Sequence, residues 1–357
     1  MNTNFKFTNN KKAILDHINQ LLADFFRAKR LQAQKYHNQV YFEIVDQIIS
    51  LTMLGKDRMR PLLVVMGYQL FAKKPYLDEK EIIKVAVSVE MFHTACLIHD
   101  DIMDEGKERR GKPTAIEHFF RKYADWKKAR NLAILAGDLA MVWADELFHL
   151  ANIKQEILAK AKLYFDFLRE EVVFGQSLDL SKREFVPRLD ILKTYEYKTA
   201  KYSFERPLHM GAILAGADDQ KLRMLSNFAI KVGVAFQIQD DILGLFGKKD
   251  KTKKDTQSDI KEGKETLLIL NFKFLISNNK DKKKLGLILG NAKTRNVDIE
   301  WVRRTMRKSG ALEKTKRDAR DLVLRGKKAL LEYNKPMDNK AKDFLLELAD
   351  YSVDRED

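Results

Sequence analysis

Apolar positions along this chain recur at helical spacing. Val85, Val89, Phe92 and Cys96 fall on one helical face, and so do Leu158, Ala161, Phe165 and Leu168. Alternating Val- or Ile-rich runs bounded by turn signals, which would mark strands, are lacking. The 357 residues include only 16 Gly and 6 Pro, with no Gly/Ser-rich or Pro-rich linker. Length alone would allow two domains. The patterning favours one all-α domain over residues 1–357, with ample chain for a core.

The helical pattern is interrupted twice by carboxylates. Asp100-Asp101-Ile102-Met103-Asp104 follows the apolar stretch Thr94–His99, and Asp240-Asp241-Ile242-Leu243 follows Val232–Gln239, 140 residues later. Carboxylates beside such runs are costly to bury unless a cation compensates them. Asp100 and Asp104, four apart, project one turn above each other from the same helical face, where like charges repel. One such pair reads as a solvated helix end. Two in matching apolar contexts point to bound metal, and oxygen-only donors without His or Cys suit Mg²⁺.

Charge and cysteine content narrow the setting. The net charge of +15 raises nucleic acid or an anionic membrane as partners. The Lys-rich stretches Lys248–Lys254 and Lys280–Lys284 have no interleaved aromatics, however, and no base-stacking module is evident. The expectation is a solvated basic surface with a few cations that meet polyanionic substrates, no nucleic acid, and at most peripheral membrane contact. No window reaches 18 uncharged apolar residues, and Met1–Lys12 lacks a signal-peptide core. The single Cys96 excludes an intramolecular disulfide and fits a reducing cytoplasm.

Several cations accompany the carboxylates. Arg109-Arg110-Gly111-Lys112-Pro113-Thr114 follows the first cluster. Adjacent residues do not share a helix face, so two arginines could each fork onto a different phosphate. Gly111 and Pro113 are expected to end the helix and leave the pair on a loop. Upstream, Lys56, Arg58 and Arg60 precede the apolar run Leu62–Met66, and Pro61 signals a helix start that favours a bound anion. His93 lies two turns before Asp100, although a lone His on an apolar helix is more often core. Gly175-Gln176-Ser177-Leu178-Asp179 is a weak string by itself. Lys198-Thr199 pairs an ammonium with a hydroxyl, and Lys254, Asp259 and Lys264 lie in a polar stretch, Lys248–Glu265, positioned to close over a site.

Together these residues resemble the trans-isoprenyl diphosphate synthase family. The resemblance runs from about Lys56 to about Lys264, and more weakly to Leu348-Ala349-Asp350-Tyr351. It is carried by the string from His93 to Asp104 with Arg109-Arg110-Gly111-x-Pro113-Thr114, by Phe236–Gly244, and by Ser258-Asp259 with Glu262-Gly263-Lys264. It implies a single large helical bundle around a deep central active-site cavity, usually in a homodimer. By the same resemblance Asp100, Asp101 and Asp104 hold two Mg²⁺ ions and Asp240, supported by Asp241, a third, with Mn²⁺ able to substitute. Arg109, Lys198, Lys254 and Lys264 would complete the cage around an allylic diphosphate (dimethylallyl, geranyl or farnesyl). Lys56, Arg60, His93 and Arg110 would hold isopentenyl diphosphate, and Thr199 and Gln237 would face the developing carbocation. Two departures stand out. Lys56 is four residues before Arg60, with Asp57 in the family's lysine slot, so either Lys56 or Arg58 fills that role. Gly244 stands where many members carry a third Asp.

Product length is partly legible through the same resemblance. The floor positions are Ala95 and Cys96, both small, and Phe92 lies one turn below, about 5.4 Å, close to one isoprene unit. The expectation is a product longer than C15, with C20 favoured over farnesyl diphosphate or chains of C25 and more. A terpene cyclase would need neither the second aspartate pair nor the isopentenyl-site cations. A head-to-head condensing enzyme flanks its aspartates differently, and a regulatory subunit typically loses aspartates or arginines that this chain keeps. A basic RNA-binding protein would leave the carboxylates unexplained.

Overall fold

The computed structural model describes residues 9–72, 79–181, 186–247 and 257–355, and is almost wholly helical there. The chain divides into two compact units. The first covers the described parts of Lys6–Phe165 together with Pro207–Asp218; the second covers those of Asp166–Arg206 and Asp219–Asp357.

The first unit contains α1 (Asn9–Lys35), α2 (Gln39–Met53), α3 (Met59–Phe71), α4 (Glu79–Met103), the two-residue strands β1 (Glu108–Arg109) and β2 (Lys112–Pro113), α5 (Ala115–Tyr123), α6 (Trp126–His149), the start of α7 (Gln155–Leu180) and nearly all of α9 (Arg206–Leu214). α4 is its central helix. Residues on every side of it are buried, among them Val85, Val87, Val89, Met91, Phe92, Ala95 and Ile98. Such all-round apolarity marks an interior helix. By length and composition α4 would also suffice to cross a membrane, but its apolar stretch is mostly buried.

α3 and α9 approach each other through paired glycines. A Cβ on Gly67 would fall 2.3 Å from the Leu208 carbonyl oxygen, and one on Gly211 would fall 1.8 Å from that of Val64. Neither contact can be relieved by turning a side chain, because the obstacle is backbone.

In the second unit, the rest of α7 is followed by α8 (Arg188–Tyr195), a π-helical segment (Glu196–Glu205), α10 (Asp219–Phe246), α11 (Ser258–Glu262), α12 (Leu267–Leu275), α13 (Asn279–Ile288), α14 (Asn296–Lys308), α15 (Ala311–Leu331) and α16 (Asn339–Asp354). α10 is the counterpart of α4, packing against α15 and the π-helical segment and burying Val232, Ala235, Ile238 and Ile242. Residues 279–335 carry 18 Lys or Arg against 7 Asp or Glu. Most of the +15 excess therefore belongs to α13–α15 and their connections, which carry neither aspartate cluster.

The Gly211–Val64 approach leads to a stability prediction. Gly211→Ala should destabilise the protein by about 1–3 kcal/mol, the usual cost of overpacking a tight core. Urea unfolding monitored by circular dichroism measures this; a change within about 0.5 kcal/mol, typical of a neutral surface site, would show that the crossing is looser than described.

Candidate active site

Each unit presents one aspartate cluster in the C-terminal part of its central helix. In the first, α4 carries His93 two turns before the adjacent Asp100 and Asp101 and ends at Met103. The N–H of Asp104 still bonds to the Asp100 carbonyl at 2.9 Å, so Asp104 continues that helical turn. Asp100 is half-buried, Asp101 buried and Asp104 exposed.

The buried Asp101 is met by Arg109. Arg109 Nε donates to its two oxygens at 3.0 and 2.9 Å, Nη2 donates to Oδ1 at 2.6 Å, and Nη2 also reaches Asp100 Oδ2 at 3.4 Å. Burial still pushes the Asp101 carboxyl above its usual range, against the pull of the guanidinium. The arginine pair is not on an open loop after a helix end, as its Gly and Pro suggested. It lies in an antiparallel hairpin in which Glu108 pairs with Pro113 and Arg109 with Lys112. Arg110 and Gly111 form the two-residue turn at φ +53° and +75°, the left-handed backbone that a tight hairpin requires at both positions. The hairpin turns Arg109 toward Asp101 and leaves Arg110 exposed at the turn. Thr114 completes the motif by capping α5 through the Glu117 N–H and donating to the Gly106 carbonyl at 2.6 Å.

A second group of cations gathers near His93. Burial pushes this imidazole well below its usual range, and Arg60, Arg110, Arg109 and Arg58 push it further, so it is neutral at pH 7. A Cβ on Gly55 would lie 2.5 Å from Arg58 Nη1, 3.0 Å from Glu90 Oε1 and 3.2 Å from Arg110 Nη1. The bare glycine is what lets these three side chains converge.

Arg58 and Lys56 part company. Arg58, left-handed at φ +46° immediately before α3, has a side chain only 1% exposed. Its Nη1 donates to Glu90 Oε1 and to the Thr52 carbonyl, both at 2.7 Å, and its Nε donates to Asn19 Oδ1 at 3.2 Å. Arg58 is thus committed to the interior, whereas Lys56 is exposed and Arg60 half-buried.

The proposed chain-length residues are on the same helix. Ala95 and Phe92 are buried and Cys96 half-buried. Phe92 packs edge-on against Phe165 of α7, at 6.0 Å between ring centroids, and Phe165 stacks on Phe148 of α6 at 5.5 Å. Sequence spacing could not name these two rings as Phe92's backing.

In the second unit the π-helical segment carries Lys198 and Thr199. Extra-residue turns of this kind re-aim side chains and recur at functional sites. Lys198 Nζ donates to Asp179, the last residue of the Gly-Gln-x-x-Asp string, which thereby acquires a partner that composition could not indicate. Thr199 Oγ1 donates to Gln237 Oε1 at 2.6 Å, and Gln237 Nε2 donates to Asp241 Oδ1 at 3.0 Å. Asp241 also accepts from the Tyr195 hydroxyl, which in turn accepts from the Leu267 N–H at 2.8 Å. Burial, reinforced by the nearby Asp259 carboxylate, pushes the Asp241 carboxyl up to about 8.

Asp259 bears on the Gly244 departure. A Cβ on Gly244 would come within 2.9 Å of Asp259 Oδ2, so that carboxylate lies over the glycine in the position's missing side-chain space. A third acidic group is therefore supplied from α11 instead of α10. Lys264 follows Gly263, which caps α11 at φ +71°; its N–H bonds to the Asp259 carbonyl at 2.9 Å and its ammonium pairs with Glu262 at 3.6 Å. Lys254 lies outside the described residues. Asp240, half-buried, accepts from Arg355 beyond α16, a partner that sequence reading missed.

Among the described residues no three His, Cys, Asp or Glu side chains converge closely enough to hold an ion as they stand. The donor chemistry nonetheless fits a hard divalent cation. The acidic groups in both units are carboxylates only, and each cluster already has a guanidinium against its aspartates, Arg109 on Asp101 and Arg355 on Asp240.

Comparison with known proteins accords with this arrangement. Residues 39–306 match the model of the polyprenyl synthetase family. The chain is 34% identical over 258 residues to a short chain isoprenyl diphosphate synthase of Methanocaldococcus jannaschii, covering 70% of this chain and 72% of that protein. It is 31% identical over 305 residues to a geranylgeranyl diphosphate synthase of Saccharolobus solfataricus, covering 83% and 82%. Among solved structures, it resembles the geranylgeranyl pyrophosphate synthase of Corynebacterium glutamicum complexed with isoprenyl diphosphate and magnesium. There the TM-score is 0.87 at 28% identity, over 97% of this chain and 98% of that one.

The interior placement of Arg58 is testable through stability. Arg58→Ala should cost about 3–5 kcal/mol, because it leaves Glu90 buried without its cation. Urea unfolding checks this; a loss under about 1 kcal/mol, as for an exposed pair, would show that the Arg58–Glu90 contact is a surface one.

Proposed function

Since the chain belongs to the polyprenyl synthetase family, we propose that it condenses isopentenyl diphosphate head-to-tail with an allylic diphosphate and that its product is geranylgeranyl diphosphate, C20. It is a prenyltransferase with the all-α isoprenoid synthase fold, and its product is an isoprenoid diphosphate longer than C15. The observation that carries the reading is the pair of aspartate clusters, each in the C-terminal part of the central helix of its unit and each accompanied by guanidinium or ammonium groups.

Mg²⁺ held by Asp100 and Asp104, and by Asp240, would neutralise the charge that grows on the leaving diphosphate as the allylic C–O bond breaks. The chain's own residues provide the rest. Arg109, Lys198 and Lys264 donate to diphosphate oxygens, an interaction strongest when the bonding electrons have moved onto that group. Neutral His93 can donate one N–H without adding charge beside Arg60 and Arg110, which hold the second diphosphate together with exposed Lys56. Thr199 and Gln237, locked to each other, present fixed oxygen dipoles toward a carbocation, where preorganised dipoles are most effective. The isopentenyl double bond attacks that cation, and the departing diphosphate takes the proton. Allylic primers of C5, C10 and C15 all fit this scheme.

The C20 product is supported by Ala95 and Cys96, which leave the first floor positions small, and by Phe92 below them, braced by Phe165. Pairing of two copies is supported by Ile134, Leu135 and Val142, apolar residues left exposed on α6. A cytoplasmic setting is supported by the single cysteine, Cys96, which leaves no intramolecular disulfide to form.

Incubating purified protein with Mg²⁺, labelled isopentenyl diphosphate and each allylic primer should give elongation that Asp100→Ala and EDTA abolish. Absence of elongation with every primer would contradict the proposal. In the same assay Phe92→Ala should lengthen the product by at least one isoprene unit, and an unchanged product would remove Phe92 from the floor. Lys56→Ala should raise the KM for isopentenyl diphosphate about tenfold, the value of one charge-assisted hydrogen bond, with little change in kcat. An unaltered KM would exclude Lys56 from that site.

A further inference from the structure

At the second cluster the chain supplies its own cation. α16 ends at Asp354, and Arg355 follows in extended backbone with φ −65° and ψ 149°. Its Nη2 donates to Asp240 Oδ1 and, at 3.2 Å, to the Phe236 carbonyl oxygen. The guanidinium lies 3.9 Å from the centroid of the Phe236 ring, which is itself wedged edge-on against Phe204. From the other side, Gln239 Nε2 donates to the Arg355 carbonyl at 2.9 Å. Arg355 is gripped through both its side chain and its main chain, and its side chain is only 8% exposed.

Of the adjacent pair, the grip falls on the half-buried Asp240, while Asp241 is buried and engaged by Tyr195 and Gln237. A guanidinium held on Oδ1 competes with a divalent ion for that oxygen and opposes it by its positive charge. We propose that Arg355 is a displaceable counter-cation for Asp240, so that metal binding at Asp240 and docking of the α16 end onto α10 oppose each other. The inference rests on Asp240 being a metal ligand. It goes beyond that reading by making Arg355 the regulator of that ligand's availability. Because the two events are linked, each must oppose the other by the same factor: removing Arg355 tightens metal binding, and metal binding loosens the end of α16.

The test is Mn²⁺ binding to the full chain, followed by the electron paramagnetic resonance signal of the free ion, for the unaltered protein, Arg355→Ala, Arg355→Lys and Asp240→Asn. Arg355→Ala should bind one ion at least about tenfold more tightly, the equivalent of one charged hydrogen bond. Arg355→Lys, which keeps the charge, should stay within a few fold of the unaltered protein. Hydrogen exchange at residues 348–354 should accelerate when Mn²⁺ is added to the unaltered chain. Unchanged or weaker Mn²⁺ binding by Arg355→Ala, while Asp240→Asn still loses one ion, would overturn the proposal and leave Arg355 as packing alone. An Asp240→Asn variant that binds as many ions as the unaltered protein would instead remove Asp240 from the metal site and the inference with it.

Discussion

A carboxylate drawn out of water must find a cation, and this chain is organised around that requirement. Both central helices run apolar for several turns and carry adjacent aspartates in their C-terminal part, one buried and one half-exposed. Burying such a group unpaired is expensive. The structure meets the cost with guanidiniums, Arg109 against Asp101 and Arg355 against Asp240. These arginines keep each cluster intact without a metal while leaving carboxylates that can be given up to one.

The same rule explains features that look unrelated to chemistry. The hairpin after α4 exists to bring Arg109 back onto the helix it has just left, and the left-handed turn at Arg110-Gly111 makes the reversal tight enough. Thr114 then anchors the hairpin and starts the next helix. Arg58 satisfies Glu90 inside the first unit, and this lets Gly55 carry a loop of three cations without their collapsing onto an unpaired acid. In the second unit Asp241 departs from that rule, with no cation against it among the described residues. It is held by a tyrosine and a glutamine, and its carboxyl is pushed up to about 8.

Much of this was legible in the chain because it depends on short spacings. The helical class, both aspartate clusters and their accompanying cations follow from periodicity and from neighbours within a few residues. What stayed hidden depends on distant pairings. Arg355 and Asp240 are 115 residues apart, and no local pattern links them. Asp259 reaches over Gly244 from a different helix, and Asp179 becomes meaningful only once Lys198 is beside it. The choice between Lys56 and Arg58 was open in sequence because burial, not residue type, separates them. The hairpin was missed for a related reason: Gly and Pro announce a break in the helix but do not say where the chain turns next.

The most direct test is a crystal structure of this chain with Mg²⁺ and a non-hydrolysable allylic thiolodiphosphate. The account predicts ions on Asp100 and Asp104 and on Asp240, with the guanidinium of Arg355 withdrawn from the Asp240 carboxylate. Diphosphate bound without an ion on either cluster, and with Arg355 still on Asp240, would contradict it.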